Sequence, residues 1–487
     1  MRLPVARRRD SLPRMNSTEG MAPLENPSVC FDTPAARAAY RVTDPVLRQL
    51  AEKLLATPDE AVTDIVMPNP HPGAAWWRTA GFGLFLHWGF HSVEALQPSW
   101  AAIRGYPYGT EDERFHGMGY FRLAERFDPQ AWNPGAWAGQ ARAAGFRYVV
   151  LTTKHHDGFA LWPSRWGNFS SRQYLGGRDL LRPYVESLRA AGLKVGFYFS
   201  PRDWHYPGFP VGHTGYVHRQ DRPARPTGDA QANAEQAREF FTFTIAQLHE
   251  LLTGYGPVDE LWFDGVGWPE AHLPTKAVYR WIRSLQPQIV INDRWGRVHN
   301  PDGRDEAAAA FGDFTTHEWM RLTEQPAGWW EFCRGWYGHW GYSGPFAGDV
   351  KTELEELGKI RAWDGNYLLN LGPRPDGRLP AGTEEAFAEM AAWMAVNGEA
   401  IHGTRGGAAG AADVPVTERD GASYLHLFHD RHEPVRVRRR AAVRAVRLLG
   451  GAELPWENAG DALIVPAAGA GYRIVRVEWS EANAASG

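Results

Sequence analysis

Short, nearly continuous apolar runs alternate along this chain with segments whose apolar residues recur at the spacing of one helix face. Apolar runs of this kind are typical of strands that are buried on both sides of a parallel sheet. Strands are predicted at 81–88, 147–154, 193–200, 260–265, 288–293 and 366–371, and helices at 135–145, 178–191, 232–253, 272–285 and 350–362. The regular alternation of strand and helix predicts an α/β fold with a parallel sheet.

After about residue 405 the pattern changes to short runs in which apolar and polar residues alternate. The stretch GTRGGAAGAA precedes these runs and is typical of a linker. A period of two with frequent turns predicts a small antiparallel β-sandwich over residues 406–487. Residues 1–70 are interpreted as an extension, partly disordered or helical, with one helix after Asp44-Pro45.

The polar residues that follow the predicted strands all lie at the same end of the sheet. They are His87, Lys154 to Asp157, Arg202 to Trp204, Asp264 and Asp293-Arg294. The carboxyl ends of the strands converge on one face of a (β/α)8 barrel, and the active sites of such barrels are built there. The sequence therefore predicts a (β/α)8-like TIM barrel over residues 71–405, with a site on this face. A dinucleotide-binding sheet is disfavoured, because no G-x-G-x-x-G motif follows the first strand.

Composition and charge narrow the range of partners. No apolar run approaches the roughly 18 residues that a membrane-spanning helix needs, so no membrane span is predicted. The 52 basic and 56 acidic residues are evenly mixed and leave a formal net charge of −4, which argues against nucleic acid as a partner. A small neutral ligand is favoured, and a homo-oligomer is compatible with the chain.

Cysteine usage and the amino terminus bear on where the protein works. Cys30 and Cys333 form neither a disulfide framework nor a zinc cage, so they leave the redox compartment open. The basic segment MRLPVARRRDSLPR is not followed by the apolar stretch of a signal peptide. A cytoplasmic location is therefore the default expectation.

Carboxylates at strand ends are the candidates for chemistry. Hydrolysis of a glycosidic bond needs one carboxylate to attack the anomeric carbon and one acid to protonate the departing oxygen. Asp264 ends a buried strand before a glycine, and Glu318 lies beside Trp319, where partial burial would raise its pKa toward that of a general acid. The 22 tryptophans suit sugar binding as well as core packing. The competing carboxylates, which are more often caps, loop braces or ion-pair partners, are Asp157, Asp203, Asp293, Asp313 and Glu331.

The histidines support a second hypothesis, a metal site. His155-His156-Asp157 together with His87 and His205 would suit zinc, which binds neutral imidazole and carboxylate. However, the first strand lacks the His-x-His pair of barrel metallohydrolases, since His87 and His91 are four positions apart. As donors to sugar hydroxyls the histidines need no metal, and that interpretation is preferred.

Several longer motifs carry a resemblance to a known family. In chain order they are FGLFLHWGFHSV, FRYVVLTTKHHDGFALW, GFYFSPRDW, ELWFDG, INDRWG, DFTTHEW, GNYLLNLGPRPDGRLP and VNGEAIHGTR. With these motifs the chain resembles the α-L-fucosidases of glycoside hydrolase family 29 over about residues 76 to 405, and TKHHDGF with LLNLGPRPDG is a highly specific combination. The resemblance implies a (β/α)8-like barrel, a carboxy-terminal β-sandwich, and retaining hydrolysis of terminal α-L-fucosides without a cofactor or metal. The implied substrate is a fucosylated oligosaccharide or glycoconjugate.

The resemblance also implies roles for individual residues. The Asp of the family's L-W-F/N-D pattern, its nucleophile, falls on Asp264. The Glu of a D-F-x-T-x-E-Y segment, the acid/base of some members, falls on Glu318. The positions that resemble the family's sugar-binding residues are His87, Trp100, His155, His156, Tyr198, Trp262, Arg294 and Trp340.

One position departs from the family's pattern. Many members have Glu-Trp where this chain has Ser99-Trp100, and that carboxylate holds sugar hydroxyls. Two alternatives follow. The first is the same mechanism on a related sugar such as an α-L-galactoside. The second is a catalytically silent carbohydrate-binding protein on the same barrel.

Overall fold

The computed structural model describes residues 33–103, 109–207, 229–264, 274–295, 311–319, 322–429, 431–467 and 469–480. The amino-terminal tail with Cys30, the glycine after Asp264 and the last seven residues lie outside these ranges. Across the described ranges, no helix is both long and apolar enough to cross a membrane. The cytoplasmic location and the homo-oligomer stay predictions.

Eight parallel strands form a closed barrel. They are β1 Phe82–Leu86, β2 Tyr148–Lys154, β3 Lys194–Phe199, β4 Glu260–Phe263, β5 Val290–Ile291, β6 Thr315–Glu318, β7 Trp330–Gly335 and β8 Asn366–Leu371. Their order in the sheet is β5-β4-β3-β2-β1-β8-β7-β6, and a parallel bridge between Asn292 and Phe314 joins the two outer strands. The predicted (β/α)8-like barrel is confirmed.

Helices separate most of the successive strands. They are α1 Pro34–Tyr40, α2 Pro45–Leu55, α3 Met118–Phe121, α4 Pro134–Ala143, α5 Ser171–Tyr174, α6 Leu181–Ala190, α7 Ala230–Gly254, α8 Thr275–Leu285, α9 Val350–Ala362 and α10 Thr383–Asn397. Helix α2 shows why Asp44-Pro45 correctly predicted the start of a helix. The Asp44 carboxylate accepts hydrogen bonds from the backbone N–H groups of Val46 and Leu47, and proline at the first helical position is already in helical geometry.

Aromatic and aliphatic side chains fill the inside of the barrel. This inner core comprises Ala74, Trp77, Ala80, Phe85, Tyr148, Val150, Tyr198, Trp262, Val290, Phe314, Cys333 and Leu368. Trp77 stacks on Phe314 with ring centroids 4.2 Å apart, at the amino-terminal end of the strands. The barrel is therefore packed from below, and the site is built at its other end.

The carboxy-terminal region folds as two antiparallel sheets. Its strands are β9 Arg405–Gly406, β10 Val416–Arg419, β11 Ala422–Leu427, β12 Val435–Arg438, β13 Val443–Leu448, β14 Glu457–Ala459, β15 Ala462–Val465 and β16 Arg473–Trp479. The sheet orders are β13-β16-β11-β10-β9 and β12-β15-β14. Leu425 and Val475 of the first sheet share one core with Val437 and Leu463 of the second, so the predicted small β-sandwich is confirmed.

The structure adds elements that the pattern did not predict. Strands β6 and β7 were not among the predicted strands, and neither was helix α10. Glu318, expected on the segment after the fifth strand, is the last residue of β6. The amino-terminal extension contains two helices among its described residues, α1 and α2, where one was expected. The predicted domain limits at residues 70 and 405 stay predictions.

Candidate active site

The residues that the family resemblance assigned to the site lie toward the carboxyl end of the barrel strands. His87 directly follows β1, and His155 and His156 follow β2. Tyr198 lies within β3, Trp262 lies in β4, and Asp264 follows β4. Arg294 comes after β5, Glu318 ends β6, and Trp340 lies beyond β7. Because parallel strands end on one face of a barrel, residues up to about 250 positions apart meet there.

Arg294 joins the two candidate catalytic carboxylates. Its Nη1 donates to Asp264 Oδ1 at 2.9 Å and its Nη2 donates to Glu318 Oε2 at 3.0 Å. Its Nε donates to Thr316 Oγ1 at 2.6 Å, which fixes the plane of the guanidinium. Burial lowers the pKa of Arg294, but the Glu318 and Asp264 carboxylates outweigh this effect and hold the pKa above its usual value. A permanent positive charge thus holds both carboxyl groups in one cleft.

Asp264 is also held from its other side. The Tyr198 hydroxyl donates to Asp264 Oδ2 at 2.8 Å, and His156 Nε2 lies 3.7 Å from the same oxygen. Burial and the neighbouring Asp264 raise the pKa of Tyr198 well above its usual value, so the phenol keeps its proton and remains a donor. Hydrogen bonds to both of its oxygens therefore fix the orientation of the Asp264 carboxylate.

Trp262 supports the two groups that hold Asp264. The Tyr198 ring stacks on its indole with centroids 5.5 Å apart, and the Arg294 guanidinium lies 4.6 Å from its ring centroid. The indole Nε1 donates to Glu331 Oε1 at 2.9 Å, deep inside the barrel. The hydrogen bond to Glu331 therefore fixes the plane of the Trp262 indole, and the indole in turn orients Tyr198 and Arg294.

Three histidines of the site are buried, and their hydrogen bonds differ. His87 Nδ1 lies 2.7 Å from Asn370 Oδ1, and burial lowers the pKa of His87 to about 4. His155 is held by Ser99, and burial with the adjacent His156 lowers its pKa well below the usual value. His156 Nδ1 contacts Ser200 Oγ at 2.7 Å. At neutral pH His87 and His155 are uncharged, which suits the recognition of neutral hydroxyls.

Ser99, which departs from the family's pattern, is completely buried. Its hydroxyl lies within hydrogen-bond distance of His155 Nδ1 and 3.1 Å from Asp157 Oδ2, and it accepts a hydrogen bond from the Asp157 backbone N–H. The Tyr120 hydroxyl donates to the same Asp157 oxygen at 2.9 Å. Ser99 therefore orients His155 from behind, and Asp157 is part of that support.

Two partly exposed tryptophans contact different histidines of the site. Trp100 contacts His156 edge-on, with ring centroids 5.4 Å apart. Trp340 lies over His87 with centroids 5.0 Å apart, and its carbonyl accepts from Asn370 Nδ2. Aromatic rings beside hydrogen-bonding groups form the kind of surface that binds a sugar ring.

The charge balance of the site favours one ionised and one protonated carboxyl group. Burial raises the pKa of Glu318, the Arg294 guanidinium opposes that effect, and the Asp264 carboxylate adds to it. A single guanidinium can neutralise only one of the two carboxylates. The trio is electrically neutral when Asp264 is ionised and Glu318 carries a proton, which is the state an acid catalyst requires.

Most of the competing carboxylates have partners outside the cleft. Asp203 is buried against Lys154 at 3.3 Å, and Asp313 pairs with Arg283 at 2.5 Å before β6. Glu331 is fully buried inside the barrel, where it also accepts from the Tyr148 hydroxyl. The remaining zinc candidate, His205, is bonded to Tyr40 and stacks on Phe169, away from the site histidines.

Three potential metal ligands do come together, although in a set that differs from the one considered in the sequence. Ligand atoms of His155, His156 and Asp264 lie within 4.8 Å of one another. Arg294 donates to Asp264 at that point, and a guanidinium disfavours a second cation beside it. The expectation of a metal-independent site stays a prediction.

Residues that the sequence did not single out complete the site. Thr316, Ser200 and Asn370 each hold a site residue through one hydrogen bond. The available sequence signal for these three residues was their position in or just after a barrel strand, near its carboxyl end. Polar residues are common there, so the signal was not specific. Asp293 accepts from the Thr316 hydroxyl at 3.2 Å and so acts one step removed from Arg294.

Two carboxyl groups that face one cleft, with neutral donors and aromatic rings around them, meet the requirements of glycosidic bond hydrolysis. The fold and the site together define a glycoside hydrolase built on a (β/α)8 barrel. Comparison with known proteins is more specific. The alpha-L-fucosidase family model matches residues 59–399, about 70% of the chain. The chain therefore belongs to the α-L-fucosidase family, and the resemblance seen in the sequence is confirmed.

Individual relatives agree with this assignment. The tissue alpha-L-fucosidase of Homo sapiens is 30% identical over 357 residues, which are 69% of this chain and 71% of the relative. Alpha-L-fucosidase isoenzyme 1 from Paenibacillus thiaminolyticus has a solved structure with 29% identity and a TM-score of 0.69, covering 84% of this chain and 99% of that one. The Thermotoga maritima alpha-fucosidase, solved with a mechanism-based inhibitor, is 26% identical with a TM-score of 0.65 and covers 84% and 97% respectively.

Proposed function

We propose that this chain hydrolyses terminal α-L-fucosides with retention of anomeric configuration, with Asp264 as the nucleophile and Glu318 as the general acid and base. The observation that carries the assignment is the Arg294 bridge, which brings both carboxyl groups within hydrogen-bond distance of one guanidinium. Retaining enzymes need carboxyl groups about 5–5.5 Å apart, whereas inverting enzymes leave roughly 6.5–9.5 Å for a water molecule. Two groups on one guanidinium favour the shorter spacing.

The first half of the reaction forms a covalent intermediate. A carboxylate oxygen of Asp264 attacks C1 of the fucosyl ring, and the bond between C1 and the glycosidic oxygen breaks. The electron pair of that bond goes to the departing oxygen, which takes the proton from Glu318. Arg294 and Tyr198 hold Asp264 in line for this attack.

The second half returns the enzyme to its starting state. Glu318, now ionised, takes a proton from a water molecule as that water attacks C1 from the side that the leaving group vacated. The ester bond to Asp264 breaks, and fucose leaves with its original configuration after two inversions. Arg294 stabilises whichever of the two carboxyl groups is ionised at each stage.

The sugar itself is bound by the neutral histidines and the aromatic rings. His87 and His155 each use Nδ1 for a protein contact and can direct the other ring nitrogen at a sugar hydroxyl, whereas His156 contacts Ser200 through Nδ1 and lies 3.7 Å from Asp264 Oδ2 through Nε2. Ser99 takes the place of a carboxylate that binds sugar in many relatives, and here it is engaged with His155 and Asp157. We therefore expect hydroxyl recognition on this side through His155 rather than through position 99.

Replacing the nucleophile tests the assignment directly. Asp264→Gly should lower kcat on an aryl α-L-fucoside by roughly 10⁴-fold, because the covalent route is lost. Azide should restore part of the activity by occupying the space and attacking C1. The matched control is Asp259→Asn, which removes a carboxylate paired with Lys194 at the opposite end of the same strand. Near-normal turnover by Asp264→Gly would exclude Asp264 as the nucleophile.

The stereochemical outcome tests the mechanism separately. Proton NMR of the first sugar released, before mutarotation, should show the α-anomer. Initial release of the β-anomer would overturn the covalent mechanism even if Asp264 proved essential. A protein that binds fucose without hydrolysing any fucoside would instead support the silent carbohydrate-binding alternative.

A further inference from the structure

Trp319, the residue directly after Glu318, is an aromatic side chain exposed to solvent at the edge of the cleft. Its exposed fraction is 49%, and the other large exposed hydrophobic residues in the described ranges are Val46, Val66 and Val396. Burial of an apolar side chain of this size is normally favourable. An indole left open beside the acid/base candidate therefore needs an explanation.

The conformation of Trp319 is specifically maintained. Its φ is +55°, in the left-handed region that disfavours a bulky residue. The backbone N–H of Trp319 donates to the Cys333 carbonyl at 3.2 Å, and the ring lies over Gly335, where a Cβ would come within 3.1 Å of the indole. Strained residues of this kind cluster at functional sites, because the surrounding structure must hold them in place.

Trp319 belongs to a row of ring contacts, here called the aromatic wall, that consists of Trp319, Trp340 and His87. Its ring meets Trp340 edge-on with centroids 5.5 Å apart, and Trp340 in turn lies 5.0 Å from His87. The wall thus runs from the sugar-binding histidine to the opening of the cleft. Glu318 lies next to its outer end.

The chemistry of the proposed function fixes what meets that outer end. Glu318 protonates the glycosidic oxygen, so the group on the far side of that oxygen lies next to Glu318. The C–H face of a pyranose ring packs well on a flat indole, and the hydroxyls at its edge stay in water. The geometry points to Trp319 as the residue that stacks against a sugar ring in the leaving group. This inference rests on the proposed function.

Comparing two substrates isolates this contact. The leaving group of a fucosyl-galactose disaccharide and that of methyl α-L-fucoside both depart as alcohols. Only the leaving group of the disaccharide is a sugar ring that can stack on Trp319. The quantity measured is the ratio of kcat/KM for the disaccharide to kcat/KM for the methyl glycoside. Trp319→Ala should lower this ratio about five- to tenfold, and Trp319→Phe should restore most of it. A disturbance of Glu318 affects both substrates, and because methanol is the poorer leaving group it would raise this ratio rather than lower it.

Further measurements separate binding of the leaving sugar from general damage. Inhibition by free galactose should weaken in Trp319→Ala, whereas inhibition by L-fucose, which fills only the inner site, should change less. The matched control is Trp329→Ala, a partly exposed tryptophan at the other end of the barrel that stacks on Trp77. It should leave the ratio unchanged.

The outcomes distinguish this inference from the proposed function. If Trp319→Ala hydrolyses both substrates with an unchanged ratio, Trp319 does not bind the leaving sugar and the inference is wrong, while the proposed function stands. If the wild-type protein hydrolyses neither substrate, the proposed function itself fails. A ratio that falls in Trp319→Ala and returns in Trp319→Phe supports the inference.

Discussion

Glu331→Gln should make the stability of the protein less sensitive to pH. Glu331 is fully buried inside the barrel, where Oε2 accepts from the Tyr148 hydroxyl at 2.6 Å and Oε1 accepts from Trp262 Nε1 at 2.9 Å. Burial raises its pKa to about 7, although both hydrogen bonds act in the opposite direction. Glutamine keeps the volume and both contacts, because its oxygen can accept from the indole while its N–H donates to the phenol oxygen.

The sign and size of the effect follow from the pKa shift. A carboxyl group whose pKa is higher in the folded than in the unfolded chain binds more protons when folded, so wild-type stability falls as pH rises from about 4.5 to about 7. Between pH 5 and pH 8 the free energy of unfolding of the wild-type protein falls by about 2.5 kcal/mol for this reason. The glutamine variant does not show this decrease, because glutamine does not ionise. Glu260, whose pKa burial and Glu331 also raise, acts in the same direction. The stability of Glu331→Gln relative to wild type should therefore rise by about 2.5 kcal/mol over this range.

Urea unfolding followed by tryptophan fluorescence at pH 5, 6, 7 and 8 measures this difference. Glu331→Leu provides the contrast, because it leaves the Tyr148 hydroxyl and the Trp262 N–H without their partner, at a cost of about 1–3 kcal/mol each. Because Trp262 supports Tyr198 and Arg294, we also expect Glu331→Leu to lower kcat much more than Glu331→Gln. A stability difference between Glu331→Gln and wild type that does not change with pH would refute the reasoning.

Two further predictions concern the chemistry. Glu318→Ala should harm substrates with sugar leaving groups far more than activated aryl fucosides. Because a general acid must carry its proton, activity on sugar leaving groups should fall as pH rises through the pKa of Glu318, which burial and Asp264 raise, and the variant should lose that alkaline limb. Equal loss on both substrate classes would assign the acid role elsewhere. Dialysis against a chelator should leave activity intact, and a loss that zinc specifically reverses would revive the histidine–metal hypothesis.

Local patterns were sufficient for much of the fold. Apolar runs such as those of β2 and β8 identify themselves, since a strand buried on both sides has no polar face. Strand β6, with the sequence TTHE, lacks such a run because two of its four side chains, Thr316 and Glu318, hydrogen-bond to Arg294 in the cleft. The strand predicted at 288–293 is reduced to a two-residue β5, and the short bridge from Asn292 to Phe314 completes the barrel between β5 and β6. Whether a sheet closes into a barrel depends on all of its strands. The local sequence of β5 and β6 therefore does not predict closure.

The sequence by itself placed Asp264 and Glu318 among the candidates, because each carboxylate lies in a recognisable motif. Only the tertiary structure decided that Arg294 touches both and that Glu331, a competing candidate in the sequence, lies under Trp262 inside the barrel. It also decided that Ser99 braces His155 and that Trp319 stays open to solvent. The physical reason is that a residue's type and spacing depend on its own strand, whereas its partners depend on how all eight strands are staggered around the barrel.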